Sequence, residues 1–82
     1  MGSKAASILE QAKSNPAGVR FNDLVKLVLA LGYVQSRQKG SHRIFTREGL
    51  PMINLQSDGS KAKGYQVKQV LSIIETHKLE VP

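Results

Sequence analysis

Residues 20–45, RFNDLVKLVLALGYVQSRQKGSHRIF, combine a helical pattern with two strand-like runs and therefore decide the fold. Apolar side chains recur every three or four residues, which predicts a helix with one buried face formed by Leu24, Leu27, Val28 and Leu31. Asn22 is the predicted N-cap of this helix, and Gly32 is the predicted stop at its end.

Short runs of β-prone residues follow this helix. Residues 33–37 and 43–46 are predicted strands joined by a turn at Gly40, and residues 52–55 are a predicted third strand. Residues 56–64 are rich in glycine, serine, aspartate and lysine, which predicts a polar loop. Because the connections between these strands are short, we expect an antiparallel sheet.

Helices are predicted on both sides of these strands. Residues 4–15 carry an apolar face and end at Asn15-Pro16, and residues 65–77 carry a second apolar face. The predicted order of elements is therefore α-α-β-β-β-α. We predict one α+β domain over residues 1–82, with a three-stranded antiparallel sheet and the helices packed on one face.

The composition excludes several classes of protein. At 82 residues the chain has room for one small domain, and the absence of cysteine excludes disulfides, thiolate metal sites and cysteine nucleophiles. Its longest apolar run, residues 24–31, is interrupted by Lys26 and is far shorter than the ~20 residues that cross a bilayer. The first residues, Met1, Gly2 and Ser3, are native or left by cloning, and no apolar signal segment follows them. We therefore expect a cytoplasmic protein with no membrane partner.

Positive charge is the first indication of function. The chain has a formal net charge of +6, and the region from Gln35 to Gln69 holds seven basic residues against two acidic ones. These basic residues are Arg37, Lys39, Arg43, Arg47, Lys61, Lys63 and Lys68. Such a surface attracts nucleic-acid phosphates, acidic proteins or anionic lipid, or it serves only to keep the protein soluble.

His42 lies in the most basic part of this region, within Arg37-Gln38-Lys39-Gly40-Ser41-His42-Arg43. An imidazole can both accept and donate a proton near neutral pH. The flanking cations Arg37, Lys39 and Arg43 are candidates to bind a phosphate and to stabilise its charge in a transition state. Because RNA carries its own nucleophile, the 2′-hydroxyl, this pattern suits RNA cleavage with no metal or other cofactor.

Each of these candidates has a structural alternative. A single histidine beside basic residues is more often an ordinary surface side chain. Strand alternation leaves the exposed face undecided, because Ile44 shares a face with His42 while Phe45 shares the other with Arg43. His77 ends the last helix, where a cation complements the helix dipole. No carboxylate lies at ligand spacing from either histidine, so no metal site is predicted.

The segment before the last helix offers a second set of candidates. Lys61 and Lys63 either bind a backbone phosphate at the start of that helix or lie free in solvent. Tyr65 either stacks on a base or packs at the helix start, and packing is the preferred interpretation.

The chain resembles the HicA toxins, small mRNA interferases of type II toxin–antitoxin systems in bacteria and archaea. The resemblance rests on the helix and first strand of residues 20–45, on Gly40-Ser41-His42, and on the segment KAKGYQVKQV at residues 61–70. It implies a double-stranded-RNA-binding-domain-like α-β-β-β-α core over residues 21–79. The helix at residues 4–15 is then an addition, and Gly64 stands where the nearest subgroup has proline.

The resemblance also implies a function. It implies a metal-independent endoribonuclease that cleaves mRNA, with His42 as the catalytic residue and Gly40 and Ser41 before it. It further implies a HicB-type antitoxin that covers the active-site surface. Two alternatives remain open at this point: an RNA-binding module without chemistry, and a protein-interaction domain for an acidic partner.

Overall fold

The computed structural model describes residues 4–82, so the prediction made for Met1, Gly2 and Ser3 lies outside the described residues. The helices are α1 (Lys4–Ser14), α2 (Phe21–Ala30) and α3 (Gly64–Thr76), with a 3-10 turn at Pro16–Gly18. The strands are β1 (Val34–Lys39), β2 (His42–Thr46), β3 (Ile53–Asp58) and β4 (Lys61–Ala62). They form one antiparallel sheet in the order β1-β2-β3-β4, and the predicted α+β class is confirmed.

The core lies between the helices and one face of this sheet. Phe45 and Leu55 extend from neighbouring strands and are almost completely buried. The helices cover them with the apolar faces that the sequence predicted, chiefly Leu24, Leu27, Val28, Val67 and Val70. Because strand side chains alternate, the residues between these buried ones point to the opposite face, away from the helices.

Helix α1 packs against α2, α3 and the 3-10 turn. Its apolar face is buried, with Ala12 at 0% and Ile8 at 2% exposure. The helix ends before Asn15-Pro16, as predicted, because the residue preceding a proline is disfavoured in the α region. The additional helix is therefore part of the hydrophobic core.

The sheet has one strand more than predicted, and the prediction of a loop over residues 56–64 is wrong. Strand β3 continues to Asp58, and the chain turns at Gly59, with φ of +64°, into the two-residue strand β4. The N–H of Ala62 donates to the carbonyl of Val19 at 2.9 Å, which ties β4 to the segment before α2. Backbone hydrogen bonds hold this polar segment, so its side-chain composition did not reveal it.

The predicted N-cap of α2 is also wrong. The helix begins at Phe21, one residue before Asn22, and Arg20 in extended conformation is the N-cap. The N–H of Phe21 donates to the carbonyl of Ser60 at 3.0 Å, so the chain enters the helix directly from its bridge to β4. Gly32 does end α2 as predicted, with φ of +89°.

Tyr33, the predicted first strand residue, precedes β1 and is buried instead. Its hydroxyl donates to the carbonyl of Pro51 at 2.7 Å. Burial raises the pKa of the Tyr33 hydroxyl, and the positive charge of Arg47 partly offsets this effect. The buried hydroxyl thus ties the start of β1 to the loop before β3.

Candidate active site on the open sheet face

A β-bulge in β1 decides which cations face the exposed side of the sheet. Gln35 pairs with Phe45 while Arg37 pairs with Ile44, so Ser36 is an extra residue on β1. Strict alternation would have placed Arg37 on the same face as Gln35, toward the core. After the bulge, the alternation of side chains along β1 is shifted by one residue, so Arg37 lies on the exposed face.

His42 begins β2 on this exposed face, which we call the open face and define by Arg37, Lys39, His42, Ile44, Asn54 and Gln56. Lys39 pairs with His42 on one side, and Gln56 pairs with it on the other. Side chains paired in this way have Cβ atoms about 4.5–5.5 Å apart. The imidazole is exposed and lies between a cation and an amide.

Asn54 orients the imidazole of His42. Its side-chain oxygen lies 3.2 Å from Nδ1 of His42. Because an amide oxygen only accepts hydrogen bonds, this contact favours the tautomer of His42 that carries its proton on Nδ1. In the neutral ring the lone pair is then on Nε2, where it can accept a proton from a bound molecule.

Gln56 connects His42 to the predicted basic segment before α3. The side-chain amide of Gln56 donates to Oγ of Ser41 at 3.1 Å, and its oxygen accepts from Nζ of Lys63 at 2.9 Å. The backbone N–H of Gln56 donates to the side-chain oxygen of Gln66 at 2.9 Å. These bonds tie the turn before His42 to β3 and bring Lys63 to the same site.

The structure separates other predicted residues from His42. Arg43 points to the opposite face of β2, where its guanidinium lies 5.2 Å from the centre of the Phe21 ring. Lys61 is exposed on β4, where its partner in the strand register is Asp58 of β3.

Gly40, in contrast, lies close to His42 along the chain. It forms the turn before β2 with φ of +60°, a conformation that favours glycine.

The sequence yields one prediction for each end of α3, for Tyr65 at its start and for His77 at its end. His77 occupies the C-cap of that helix, which is the structural position predicted for it. The preferred interpretation that Tyr65 packs at the helix start is wrong, because its side chain is 58% exposed. Its hydroxyl accepts a hydrogen bond from the side-chain amide of the buried Gln66 at 3.3 Å.

Sequence reasoning missed Asn54 and Gln56. Both alternate with the apolar Ile53 and Leu55, and this alternation was a signal that they share an exposed face. Their contact with His42, in contrast, depends on the pairing register of β2 and β3, which a single sequence does not state.

The described residues contain no grouping of metal ligands. Within residues 4–82, no three histidine, aspartate or glutamate side chains lie close enough together to hold a metal ion. No helix in that part of the chain has the length and apolar character needed to cross a membrane.

The chain was compared with known families and proteins. The family model described as HicA toxin of bacterial toxin-antitoxin matches residues 21–75, from the first residue of α2 to the end region of α3. No curated protein and no solved structure matched the chain. The match covers more than half of the chain, including the whole sheet and His42. The chain therefore belongs to the HicA toxin family, whose members are the toxins of toxin–antitoxin pairs and have an antitoxin as partner.

Proposed function

We propose that this toxin is an endoribonuclease that cleaves mRNA without a metal, with His42 as general base and general acid. The observation that carries the proposal is the exposed imidazole of His42, oriented by Asn54 and placed beside Lys39. Proton transfer to and from a bound phosphodiester requires an imidazole that is accessible, oriented and close to cations.

The reaction needs one proton to move twice. Nε2 of His42 accepts the proton of a ribose 2′-hydroxyl, and the 2′-oxygen forms a bond to the adjacent phosphorus. The bond from phosphorus to the 5′-oxygen breaks, and the imidazolium returns the proton to that oxygen. The products are a 2′,3′-cyclic phosphate and a 5′-hydroxyl end. This reaction requires no other nucleophile and no cofactor.

The cations of the open face supply the electrostatic part of the reaction. Arg37 and Lys39 lie on the same face as His42, and Lys63 reaches the site through Gln56. Within residues 4–82 the one ion pair joins Lys13 to Glu10, so no carboxylate neutralises these three cations. They are therefore available to bind the RNA backbone and to stabilise charge on the reacting phosphate.

The chemistry of the product ends tests this proposal. Purified protein is incubated with mRNA in EDTA, and with a matched oligonucleotide that carries 2′-deoxyribose at the cleaved position. We expect cleavage of the RNA to leave cyclic phosphate ends and no cleavage of the deoxy substrate. Cleavage of both substrates would contradict the mechanism, and RNA binding without new ends would favour the module without chemistry.

We also propose that a HicB-type antitoxin neutralises the toxin by covering the open face. Val34 lies on this side of β1 and is 61% exposed, and Met52, just before β3, is 60% exposed. Exposed apolar side chains on an otherwise polar surface are typical of a protein interface. We expect serine at both positions to weaken antitoxin binding and spare RNA cleavage, whereas Leu29→Ser on α2 leaves both unchanged. Equal antitoxin affinity in the two variants would contradict this placement.

A further inference from the structure

A second basic surface lies on the other side of the β1–β2 hairpin from the open face. It is a cleft of about 500 Å³ between the start of α2, the hairpin end and the β3–β4 turn. Arg20, Lys26 and Arg43 line it, and Asp23 is its one acidic residue. The cleft therefore has a surplus of two positive charges.

The cations of the cleft have no neutralising partner in the described part of the chain. None of them forms an ion pair within residues 4–82, although Asp23 lines the same cleft. Arg43 is held in place by the ring of Phe21, 5.2 Å from its guanidinium carbon. The cation–π contact fixes the guanidinium while its N–H donors remain free to bind an anion.

Ser41 links the cleft to the proposed active site. Ser41 lines the cleft, and its hydroxyl also accepts the hydrogen bond from Gln56 beside His42. His42 and Arg43 are consecutive residues of β2, so their side chains leave the same strand end on opposite faces. A chain of phosphates that crosses the turn at Gly40 would therefore meet cations on both sides.

We propose that this cleft binds the backbone of the same RNA strand beyond the cleavage site, so that the RNA crosses the hairpin end from the open face. This inference rests on the proposed ribonuclease function. The lining favours RNA over a protein partner, because Phe21 is its one apolar side chain and is only 7% exposed. Protein interfaces, in contrast, have an apolar centre.

The salt dependence of RNA binding tests the cleft separately from cleavage. Arg20→Gln and Lys26→Gln are combined in a His42→Ala chain, and both side chains are exposed, so the fold should tolerate the change. The matched control combines Lys4→Gln and Lys13→Gln on α1, which removes the same charge outside the cleft. Affinity for a labelled oligoribonucleotide is measured by fluorescence anisotropy over a range of salt concentrations.

We expect the cleft variant to lose about two phosphate contacts. The slope of log K against log salt then becomes shallower by roughly 1.4, and affinity at about 0.1 M salt falls about 25-fold. The α1 control should match the His42→Ala parent. Equal slopes and affinities in the cleft variant and the control would overturn the inference, as would loss of antitoxin binding with RNA binding intact.

Failure of this inference is distinguishable from failure of the proposed function. RNA cleavage by the His42→Ala chain would contradict the ribonuclease mechanism, while the anisotropy slopes would still report on the cleft. Conversely, a cleft variant that binds RNA as the control does would leave the His42 mechanism unaffected.

Discussion

The contact between Asn54 and His42 yields a prediction about turnover. In Asn54→Ala the imidazole loses the acceptor that holds a proton on Nδ1. In the proposed mechanism Nε2 takes the proton from the 2′-hydroxyl, and this hydrogen bond then changes from neutral to charge-assisted. Its contribution then rises from about 0.5–1.5 kcal/mol to about 1.5–3 kcal/mol. The variant should therefore lose about 1–1.5 kcal/mol of transition-state stabilisation, which lowers kcat roughly five- to twelvefold.

The assay is cleavage of a labelled oligoribonucleotide at saturating concentration in EDTA. Asn54 is exposed, so the alanine variant should fold, and KM should change little because the lost bond strengthens only as the proton moves. Asn54→Asp keeps an acceptor beside Nδ1 and should cleave at least as fast as the parent. Ser72→Ala on the exposed side of α3, away from the sheet, is the neutral control. The reasoning is refuted if the alanine variant turns over at the parent rate, or if the aspartate variant is equally impaired.

Two further predictions concern stability. Ile8→Ala should lower the free energy of unfolding by about 3 kcal/mol, because Ile8 is buried against the other helices. The control Ser7→Ala, on the exposed side of α1, should change it by less than about 0.5 kcal/mol. Similar urea midpoints for both variants would show that α1 is not part of the core. Tyr33→Phe should cost about 1 kcal/mol at neutral pH through its lost hydrogen bond to Pro51. Since the raised pKa means that the folded chain holds the Tyr33 proton more tightly, this residue's contribution to stability is complete below the ordinary value of 10.0 and is lost as pH rises above it. Above pH 10 the free energy of unfolding should therefore fall less steeply with rising pH in Tyr33→Phe than in the parent. Equal slopes for the two proteins would contradict the effect of burial on the Tyr33 hydroxyl.

Local patterns in the sequence predicted most of the fold. The apolar repeat of α2, Gly32 at its end, and the β-prone runs around Gly40 each follow from neighbouring residues. Strand β4 and the start of α2 depend instead on hydrogen bonds between segments about 40 residues apart, such as Phe21 to Ser60. Patterns of neighbouring residues contain no information on such pairs.

The candidate site was predictable only in part. His42, Arg37 and Lys39 were predicted as one group, but their common face depends on the bulge at Ser36, which no local residue pattern indicated. Arg43 was predicted beside His42 because the two are adjacent, yet adjacency along a strand places side chains on opposite faces. Asn54 and Gln56 reach His42 through strand pairing alone.

The measurement that tests the central claim most directly is RNA digestion in EDTA by the parent chain and by His42→Ala, side by side. Circular dichroism of both proteins should coincide, because His42 is exposed and contributes no packing to the core. We predict that the parent cleaves mRNA and that the His42→Ala chain binds the same RNA but leaves it intact. Cleavage by the alanine variant at the parent rate would contradict the assignment of His42.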